Sequence, residues 1–312
     1  MNDLLIVLTP LIVLLILVLI RFTACSSFGA AETPVAAPAP PPSTAPPIDS
    51  PIEPPVVPPP KNYAELVAST KGFAAHWPLD ETGGNQVTML GPWSSTLCQY
   101  VPTGTVGRTL GQPGKIGRAP EFHGTESYVE VPFIPALNPQ NTLAFSVELW
   151  VKPNPALGDN TQALISSHHF DDERGYEILL YRERNQPHQL LRGRVFSSGA
   201  AALSEVTIQP ALADGDPNEW RYIVMTYEGN TSGAGTLTLH LRFASKAQWM
   251  VGSKPGAVYA IVNSASLATL RFGSSHRSGQ DDGNFFAGQI DEVAFYNAVL
   301  TQGDRDAHFT MA

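Results

Sequence analysis

A short run of side-chain oxygens near the end of the chain could hold a metal ion. Residues 280–284 read QDDGN, so Asp281, Asp282 and Asn284 offer oxygens, and the glycine among them permits a tight turn. Calcium takes six to eight oxygen ligands, which flexible loops can supply. No basic residue lies closer in sequence than Arg277, so a bound cation would explain the adjacent aspartates. A basic side chain from another loop is the alternative explanation.

The chain lacks the residue patterns on which several classes of enzyme depend. A retaining glycosidase needs two carboxyl groups about 5–5.5 Å apart in one cleft, and no predicted strand reads Glu-x-Asp-x-Glu. Asp291 and Glu292 are adjacent, so a regular strand would point them to opposite faces. The Gly-x-Ser-x-Gly elbow, the Walker phosphate loop and the dinucleotide fingerprint do not occur either. We therefore expect a protein that is not an enzyme.

Charge and cysteine content exclude further classes. The formal net charge is −9, whereas nucleic-acid binding requires clustered basic residues, so no nucleic-acid partner is expected. Cys25 and Cys98 are the only cysteines, and they lie in different parts of the chain. The fold is therefore not expected to depend on disulfides or on a cysteine–histidine zinc site.

The elements that must position any site are predicted to be strands. Apolar residues alternate with others along 143–152, which is the period of a strand with one face in a core. The apolar positions are Leu143, Phe145, Val147, Leu149 and Val151. The same placement elsewhere predicts one shared core that contains Phe145, Val147, Leu149, Leu239, Leu241 and Phe295.

Further segments of six to ten residues are separated by Gly, Asp and Pro turns, which is typical of an antiparallel β-sandwich. Short helices are predicted at 64–69, after Asn62, and near 301–308. Residues 83–118 are the least defined. The additional predicted strands are 73–79, 175–182, 189–197, 219–228 paired in a hairpin with 236–244, 268–273 and 286–296.

Three segments resemble the laminin-G-like, concanavalin A-like jelly rolls of bacterial and viral surface proteins. They are 128–132 (YVEVP), 145–153 (FSVELWVKP) and 286–300 (FAGQIDEVAFYNAVL), and the short segment 137–139 (LNP) matches as well. The resemblance implies an all-β, antiparallel jelly roll over residues 62–312. It also implies binding or adhesion, because a minority of such domains catalyse.

The resemblance also suggests sites. Domains of this kind often hold one calcium ion, and Asp291 occupies the matching position in the late strand. Its alternative role is structural, as a carboxylate that accepts backbone N–H groups from a neighbouring loop. Sugar-binding members stack exposed aromatic rings on sugar rings. The candidates in loops or on outward strand faces are Trp93, Tyr100, Tyr181 and Trp249, whereas Trp77, Trp150 and Trp220 fall at strand positions typical of the core.

The first 61 residues are expected to lie outside this domain. Residues 1–25 contain the apolar run 4–20, long enough to cross a membrane, and no basic residue precedes it. An uncleaved anchor therefore fits better than a cleaved signal peptide, with lipidation at Cys25 as an alternative. Residues 26–61 form a linker in which 34–60 hold 13 of the 28 prolines, a composition typical of an extended polyproline II stalk.

These features predict a membrane-tethered recognition or adhesion module on a cell surface, in the periplasm or on a virion. Its expected partner is a glycan or a surface protein, with calcium as the cofactor. A structural surface or coat component without a small ligand is the alternative. A carbohydrate-active enzyme is the third hypothesis.

Overall fold

The computed structural model describes residues 62–102, 104–140, 142–154, 161–168, 174–181, 189–197, 203–209, 216, 218–260, 269–276 and 282–312. The predicted anchor at 1–25 and the proline-rich linker at 26–61 lie outside these residues. Neither helix in the described part of the chain is long and apolar enough to cross a membrane.

Strands dominate the described residues, with one helix near each end. The helices are α1 (Tyr63–Ser69) and α2 (Gln302–Met311). The strands are β1 (Phe73–Trp77), β2 (Gln86–Val87), β3 (Cys98–Val101), β4 (Arg108–Pro113), β5 (Arg118–His123), β6 (Tyr128–Val131), β7 (Phe145–Pro153), β8 (Gln162–Ser166), β9 (Gly175–Tyr181), β10 (Leu190–Phe196), β11 (Leu203–Ile208), β12 (Arg221–Glu228), β13 (Ala234–Phe243), β14 (Met250–Val258), β15 (Leu270–Phe272), β16 (Ser275–His276), β17 (Asp282–Gly283) and β18 (Ala287–Tyr296).

The strands form two large antiparallel sheets. The first sheet has the order β14-β13-β12-β7-β18-β5-β4, and β1 also pairs with β18. The second has the order β11-β10-β9-β8-β15-β6-β3-β2. Neighbours in each order are often far apart in sequence, as expected for a jelly roll. The predicted antiparallel β-sandwich is confirmed.

The core lies between the two sheets and contains the residues that the alternation predicts. Phe145, Val147, Leu149, Leu239, Leu241 and Phe295 are all at most 1 % exposed and belong to one cluster. The Phe145 ring stacks on Phe295 of the same sheet, with centroids 5.8 Å apart, and lies 5.0 Å from Tyr176 of the second sheet. The core prediction is therefore confirmed.

The opposite face of the first sheet is also buried over part of its area, which the alternation did not predict. Glu148 and Trp150 of β7 are completely buried on this outer face. Phe309 of α2 stacks on Trp150, with centroids 5.3 Å apart, and Tyr63 of α1 packs in the same cluster. Leu143, in contrast, is 54 % exposed because β7 begins only at Phe145. The alternation therefore identifies one buried face of this strand but gives no sign that the helices cover the other.

Both helices begin at polar caps that the sequence supplies. The Asn62 side chain accepts a 2.9 Å hydrogen bond from the Glu65 backbone N–H at the start of α1. Thr301 and Asp304 form a complete capping box at the start of α2. The predicted helix at 301–308 is confirmed and ends three residues later than expected.

Several strands escaped prediction. The hairpin of β12 and β13 is confirmed, and β9, β10, β15 and β18 overlap their predicted ranges. No strand was predicted at β11 or β14, nor at β3, β4 or β5. In β14 the residues Lys254, Pro255 and Gly256 interrupt any strand pattern. The first sheet tolerates them because β14 is its edge strand, where a missing N–H breaks no ladder.

A β-bulge in β18 places two acidic side chains on the same face. The pairing register between β18 and β7 shifts between Asp291 and Ala294, and Glu292 has a left-handed φ of 51°. Asp291 pairs with Trp150 of the outer face, and Glu292 contacts His76 on that same face. The expectation that these adjacent carboxylates point to opposite faces is therefore wrong, because the bulge inserts an extra residue.

Candidate functional site

The residues predicted to bind calcium have several different surroundings. Asp281 lies outside the described residues, and Asp282 contributes its backbone to β17. The Asn284 side chain donates a 2.8 Å hydrogen bond to Ser275 Oγ. The described residues contain no group of three or more His, Cys, Asp or Glu side chains that could hold a metal ion. Calcium binding at 280–284 stays a prediction.

Asp291 accepts backbone N–H groups from a neighbouring loop, which was the structural alternative to calcium binding. Its Oδ2 accepts hydrogen bonds of 2.7 Å from the Lys115 N–H and 3.0 Å from the Ile116 N–H, in the loop between β4 and β5. Burial raises the pKa of Asp291 to about 8, and repulsion from Glu292 adds to the rise, whereas the two backbone N–H groups oppose it. This carboxylate therefore anchors a loop within the fold and faces no solvent.

Two of the four aromatic candidates for sugar stacking have packing contacts. Tyr100 is completely buried in the core, where its hydroxyl donates to Glu81. No ligand can stack on its ring, so this prediction is wrong. Trp249 is half-buried, donates from Nε1 to Asp306 of α2 at 2.8 Å, and packs against Phe309. Its role in sugar stacking stays a prediction.

The other two aromatic candidates remain accessible, at different places. Trp93 is 40 % exposed in the turn between β2 and β3. Tyr181 is half-buried at the end of β9, and the Arg192 guanidinium lies 4.1 Å from its ring centroid. Trp77 and Trp150 are fully buried and Trp220 is half-buried, in agreement with the packing roles predicted for them.

The outer face of the second sheet carries a continuous row of polar residues that crosses every strand. Each member is directly paired in register with the next, so the row is perpendicular to the strands. At the usual spacing of about 4.8 Å between strands it extends over about 34 Å. The row consists of Gln86, Gln99, Glu130, Arg271, Ser166, Glu177, Arg194 and Glu205.

Exposure varies along this polar row. Gln86 and Gln99 are exposed at one end, and the Glu205 side chain is 28 % exposed at the other. Arg271 and Glu177, near the centre, are about 5 % exposed or less. No helix among the described residues packs on this face, in contrast to the outer face of the first sheet. The two ends of the row are therefore accessible to a ligand.

Ion pairs across the strands hold the charged members in place. Arg194 lies 2.6 Å from Glu205 and 3.2 Å from Glu177. Arg271 lies 3.7 Å from Glu130. Burial raises the pKa of Glu177 to about 7, although the Arg194 charge and its hydrogen bond lower it. The row is therefore organised by its own charges before any ligand arrives, which reduces the entropy lost on binding.

This arrangement suits hydrogen bonding better than acid–base catalysis. Glu177 and Glu205 are separated by Arg194, which pairs with both, so they cannot act from two sides of one glycosidic bond. Carboxylates, guanidinium groups and amides instead offer the donors and acceptors that hydroxyl-rich ligands require. Tyr181, on the same face, is the one predicted sugar-stacking residue near the row.

A second polar cluster is sealed beneath the helices on the first sheet. His76 Nε2 lies 2.5 Å from Glu292 Oε2, and both side chains are at most 4 % exposed. Burial lowers the pKa of His76 to about 4 and raises that of Glu292 to about 9, so the buried pair favours its uncharged forms. The pair links β1 to β18, and the Tyr63 ring of α1 lies 6.2 Å from the His76 ring, so these buried groups belong to the packing of the fold.

Sequence reasoning did not identify the polar row. Glu177 and Arg194 each stand at an outward position between apolar neighbours, so alternation could have marked them individually. Their alignment, however, depends on the order of strands and on a bulge in β8 between Ala163 and Ile165. Neither feature has a local signal in the sequence.

The fold and these sites can be compared with known proteins. The family model described as the Concanavalin A-like lectin/glucanases superfamily, of laminin-G type, matches residues 123–304, more than half of the chain. The chain belongs to this superfamily. The resemblance in the three sequence segments is thereby confirmed. No curated protein matches the chain significantly.

Solved structures support the same superfamily fold. The binding domain of botulinum neurotoxin DC in complex with SialylT matches with a TM-score of 0.53 and 10 % identity, covering 79 % of this chain and 52 % of that one. The serotype C1 binding domain matches with 0.53 and 12 %, covering 79 % and 53 %. The binding domain of Paraclostridial Mosquitocidal Protein 1 matches with 0.52 and 14 %, covering 78 % and 52 %. This chain spans about half the length of these structures, and identities this low establish the fold alone.

Proposed function

We propose that the protein is a non-catalytic recognition module that binds a glycan along the outer face of its second sheet. The observation that carries the proposal is the polar row from Gln86 to Glu205, which crosses all eight strands. Because the centre of the row is buried, the accessible part is its two ends, and the end at Gln86 and Gln99 suits a hydroxyl-rich ligand that lies across neighbouring strands. The exposed amides of Gln86 and Gln99 and the carboxylate of Glu130 provide the first contacts.

The proposal includes display outside the cytoplasm. The apolar run at 4–20 anchors the protein in a membrane, and the proline-rich stalk at 26–61 holds the domain away from the surface. Support comes from the composition of these segments and from the placement of the recognised domain beyond them. A stalk of this kind increases the reach of a surface adhesin.

A glycan array tests the proposal, with the full-length chain in detergent and with calcium either present or chelated. Among the matching structures, one neurotoxin binding domain is in complex with SialylT and another with rat synaptotagmin II, so sialylated glycans and a peptide array should both be included. Selective binding to one glycan class is the expected result. Binding to peptides alone, or to nothing on either array, would overturn the glycan assignment.

A structural role for the same row is the second candidate. The ion pairs of Arg194 with Glu177 and Glu205 neutralise these charges internally, as in a stabilising ladder. If the row serves only stability, replacing Glu130 will change the melting temperature but will leave glycan binding unchanged. The array and a thermal melt of the same variant therefore separate the two candidates.

A further inference from the structure

The first sheet carries a small polar cleft on its outer face, away from the polar row of the second sheet. The cleft has a volume of about 190 Å³ and lies where β5, β18 and β7 run side by side. It is smaller than the roughly 300–1,000 Å³ of sites for drug-sized ligands, so it suits a molecule of a few heavy atoms. Its lining residues are Glu121, Lys152, Pro153, Asn154, Asn218, Gly288 and Gln289.

The pairing register places opposite charges on either side of an amide. Glu121 of β5 pairs with Gln289 of β18, and Gln289 pairs with Lys152 of β7. Two strand spacings of about 4.8 Å therefore separate the backbones of Glu121 and Lys152 by roughly 10 Å. Both side chains project from the same face, because all three residues lie in one row.

Within the described part of the chain, neither charge in this cleft has a partner. Glu121 and Lys152 form no ion pair and no side-chain hydrogen bond with any described residue. On the polar row of the second sheet, by contrast, Arg194 pairs with Glu177 and Arg271 pairs with Glu130. The two unpaired charges therefore distinguish the cleft from a row of charges that only stabilises its sheet. The Gln289 amide, in contrast, is fixed by a 3.0 Å hydrogen bond to the Pro113 carbonyl.

One residue that lines the cleft, Gly288, has no room for a side chain. This residue has a left-handed φ of 132°, and a Cβ there would lie 2.3 Å from the Lys152 carbonyl oxygen. Only glycine fits without strain, so β18 approaches β7 closely and the cleft has a backbone wall. The glycine thereby fixes the close spacing of the two strands that line the cleft.

We propose that this cleft binds a small zwitterion, with the ligand's ammonium on Glu121 and its carboxylate on Lys152. A purely anionic ligand would be repelled by Glu121, and a purely cationic one by Lys152, so a molecule with both charges is the complementary class. Gln289 lies between them, and Asn218 adds another hydrogen-bonding group to the lining of the cleft. This site is independent of glycan binding on the second sheet, which uses none of these residues.

Saturation-transfer NMR on the full-length chain in detergent tests the site with three matched probes: 4-aminobutyrate, butyrate and butylammonium. 4-Aminobutyrate should show transfer at millimolar concentrations, and each single-charge probe should bind at least tenfold more weakly. Glu121→Gln and Lys152→Met should each abolish the 4-aminobutyrate signal. Glu228→Gln, at an exposed position on the far end of β12, should leave it unchanged.

A charge-swapped variant, Glu121→Lys with Lys152→Glu, provides the decisive control. A zwitterion can reverse its orientation, so this double variant should recover binding that each single variant loses. Thermal melts establish that all variants are folded before they are compared. Equal binding of butyrate or butylammonium, retained signal in the single variants, or no recovery in a folded charge-swapped protein would each overturn the proposal.

Discussion

The Nδ1 atom of His308 lies 2.9 Å from Glu148 Oε2, and both side chains are completely buried. Glu148 also accepts hydrogen bonds from the Tyr222 and Tyr296 hydroxyls. On its other side, His308 Nε2 contacts Thr70 Oγ1 at 2.9 Å. One imidazole thus joins the sheet to the end of α1 and to α2.

Polar groups contact this imidazole on both sides. The Thr70 hydroxyl donates to the Leu66 carbonyl at 3.0 Å and lies 2.9 Å from His308 Nε2. Both oxygens of the Glu148 carboxyl group lie within 3.1 Å of Nδ1. The contact therefore ties α2 to the sheet through polar groups that are buried and hydrogen-bonded.

Replacing His308 should remove its contact with Glu148 and lower the free energy of unfolding. His308→Ala leaves the buried Glu148 carboxyl group without this partner, and such a loss reduces the free energy of unfolding by about 1–3 kcal/mol. Urea denaturation measures the change. His123→Ala, at an exposed histidine on β5, should change it by less than about 0.5 kcal/mol. A loss for His308→Ala that is no larger than that of the His123→Ala control would contradict a stabilising role for this contact.

The raised pKa of Asp291 predicts a pH dependence of stability. Because its pKa is about 8 in the fold and near 4 in an unfolded chain, the folded state holds this proton more tightly. The stabilisation is full below about pH 4 and is lost as pH rises towards 8. Asp291→Asn cannot ionise, so its stability relative to wild type should increase over that range, by on the order of a few kcal/mol.

Denaturation curves of wild type and Asp291→Asn at pH 4, 6 and 8 provide the measurement. The exposed variant Glu228→Gln controls for the loss of one negative charge. A stability difference that stays constant across this range would show that Asp291 is already ionised in the fold.

The two leucines of one alternating pattern should respond differently to truncation. Leu149 is completely buried opposite Ile223, so Leu149→Ala should lower the free energy of unfolding by about 2–5 kcal/mol. Leu143 is more than half exposed, so Leu143→Ala should change it by less than about 0.5 kcal/mol. Chemical denaturation of both variants checks the assignment, and equal losses would refute it.

Calcium binding at 280–284 remains open to a direct test. Calcium at about 100 times its Kd should stabilise the protein by roughly 2.7 kcal/mol. The double variant Asp281→Asn with Asp282→Asn should lose this gain, whereas Asp216→Asn with Glu228→Gln, which removes the same charge elsewhere, should keep it. A melting temperature that neither calcium nor a chelator moves would exclude the site.

Local patterns predicted the core better than the site. Phe145, Val147 and Leu149 could be assigned to the core because alternation along one strand determines which side chains share a face. Tyr100 could not be assigned, because its burial depends on Glu81 and on Arg108, whose guanidinium lies 4.8 Å from the ring centroid. The sequence allowed Asp291 to be proposed as an acceptor of backbone N–H groups. It could not show which loop donates them, because that depends on the position of the loop between β4 and β5.

Features that depend on the partner strand had no sequence signal. The bulge at Asp291 and Glu292 exists only relative to the register of β7. Similarly, Gln99 and Glu205 join the same polar row through a strand order that brings distant segments together. Alternation with period 2 shows which side chains share one face of a strand. The order and register of the strands decide which of these side chains become neighbours.

Glycan affinity of variants in the polar row tests the central claim most directly. For the best ligand of the array, Gln99→Ala and Glu130→Gln should each weaken binding by the full-length protein at least tenfold, without a matching change in melting temperature. Glu228→Gln on the other sheet should bind as wild type does. Unchanged affinity in both row variants would contradict glycan recognition on this face.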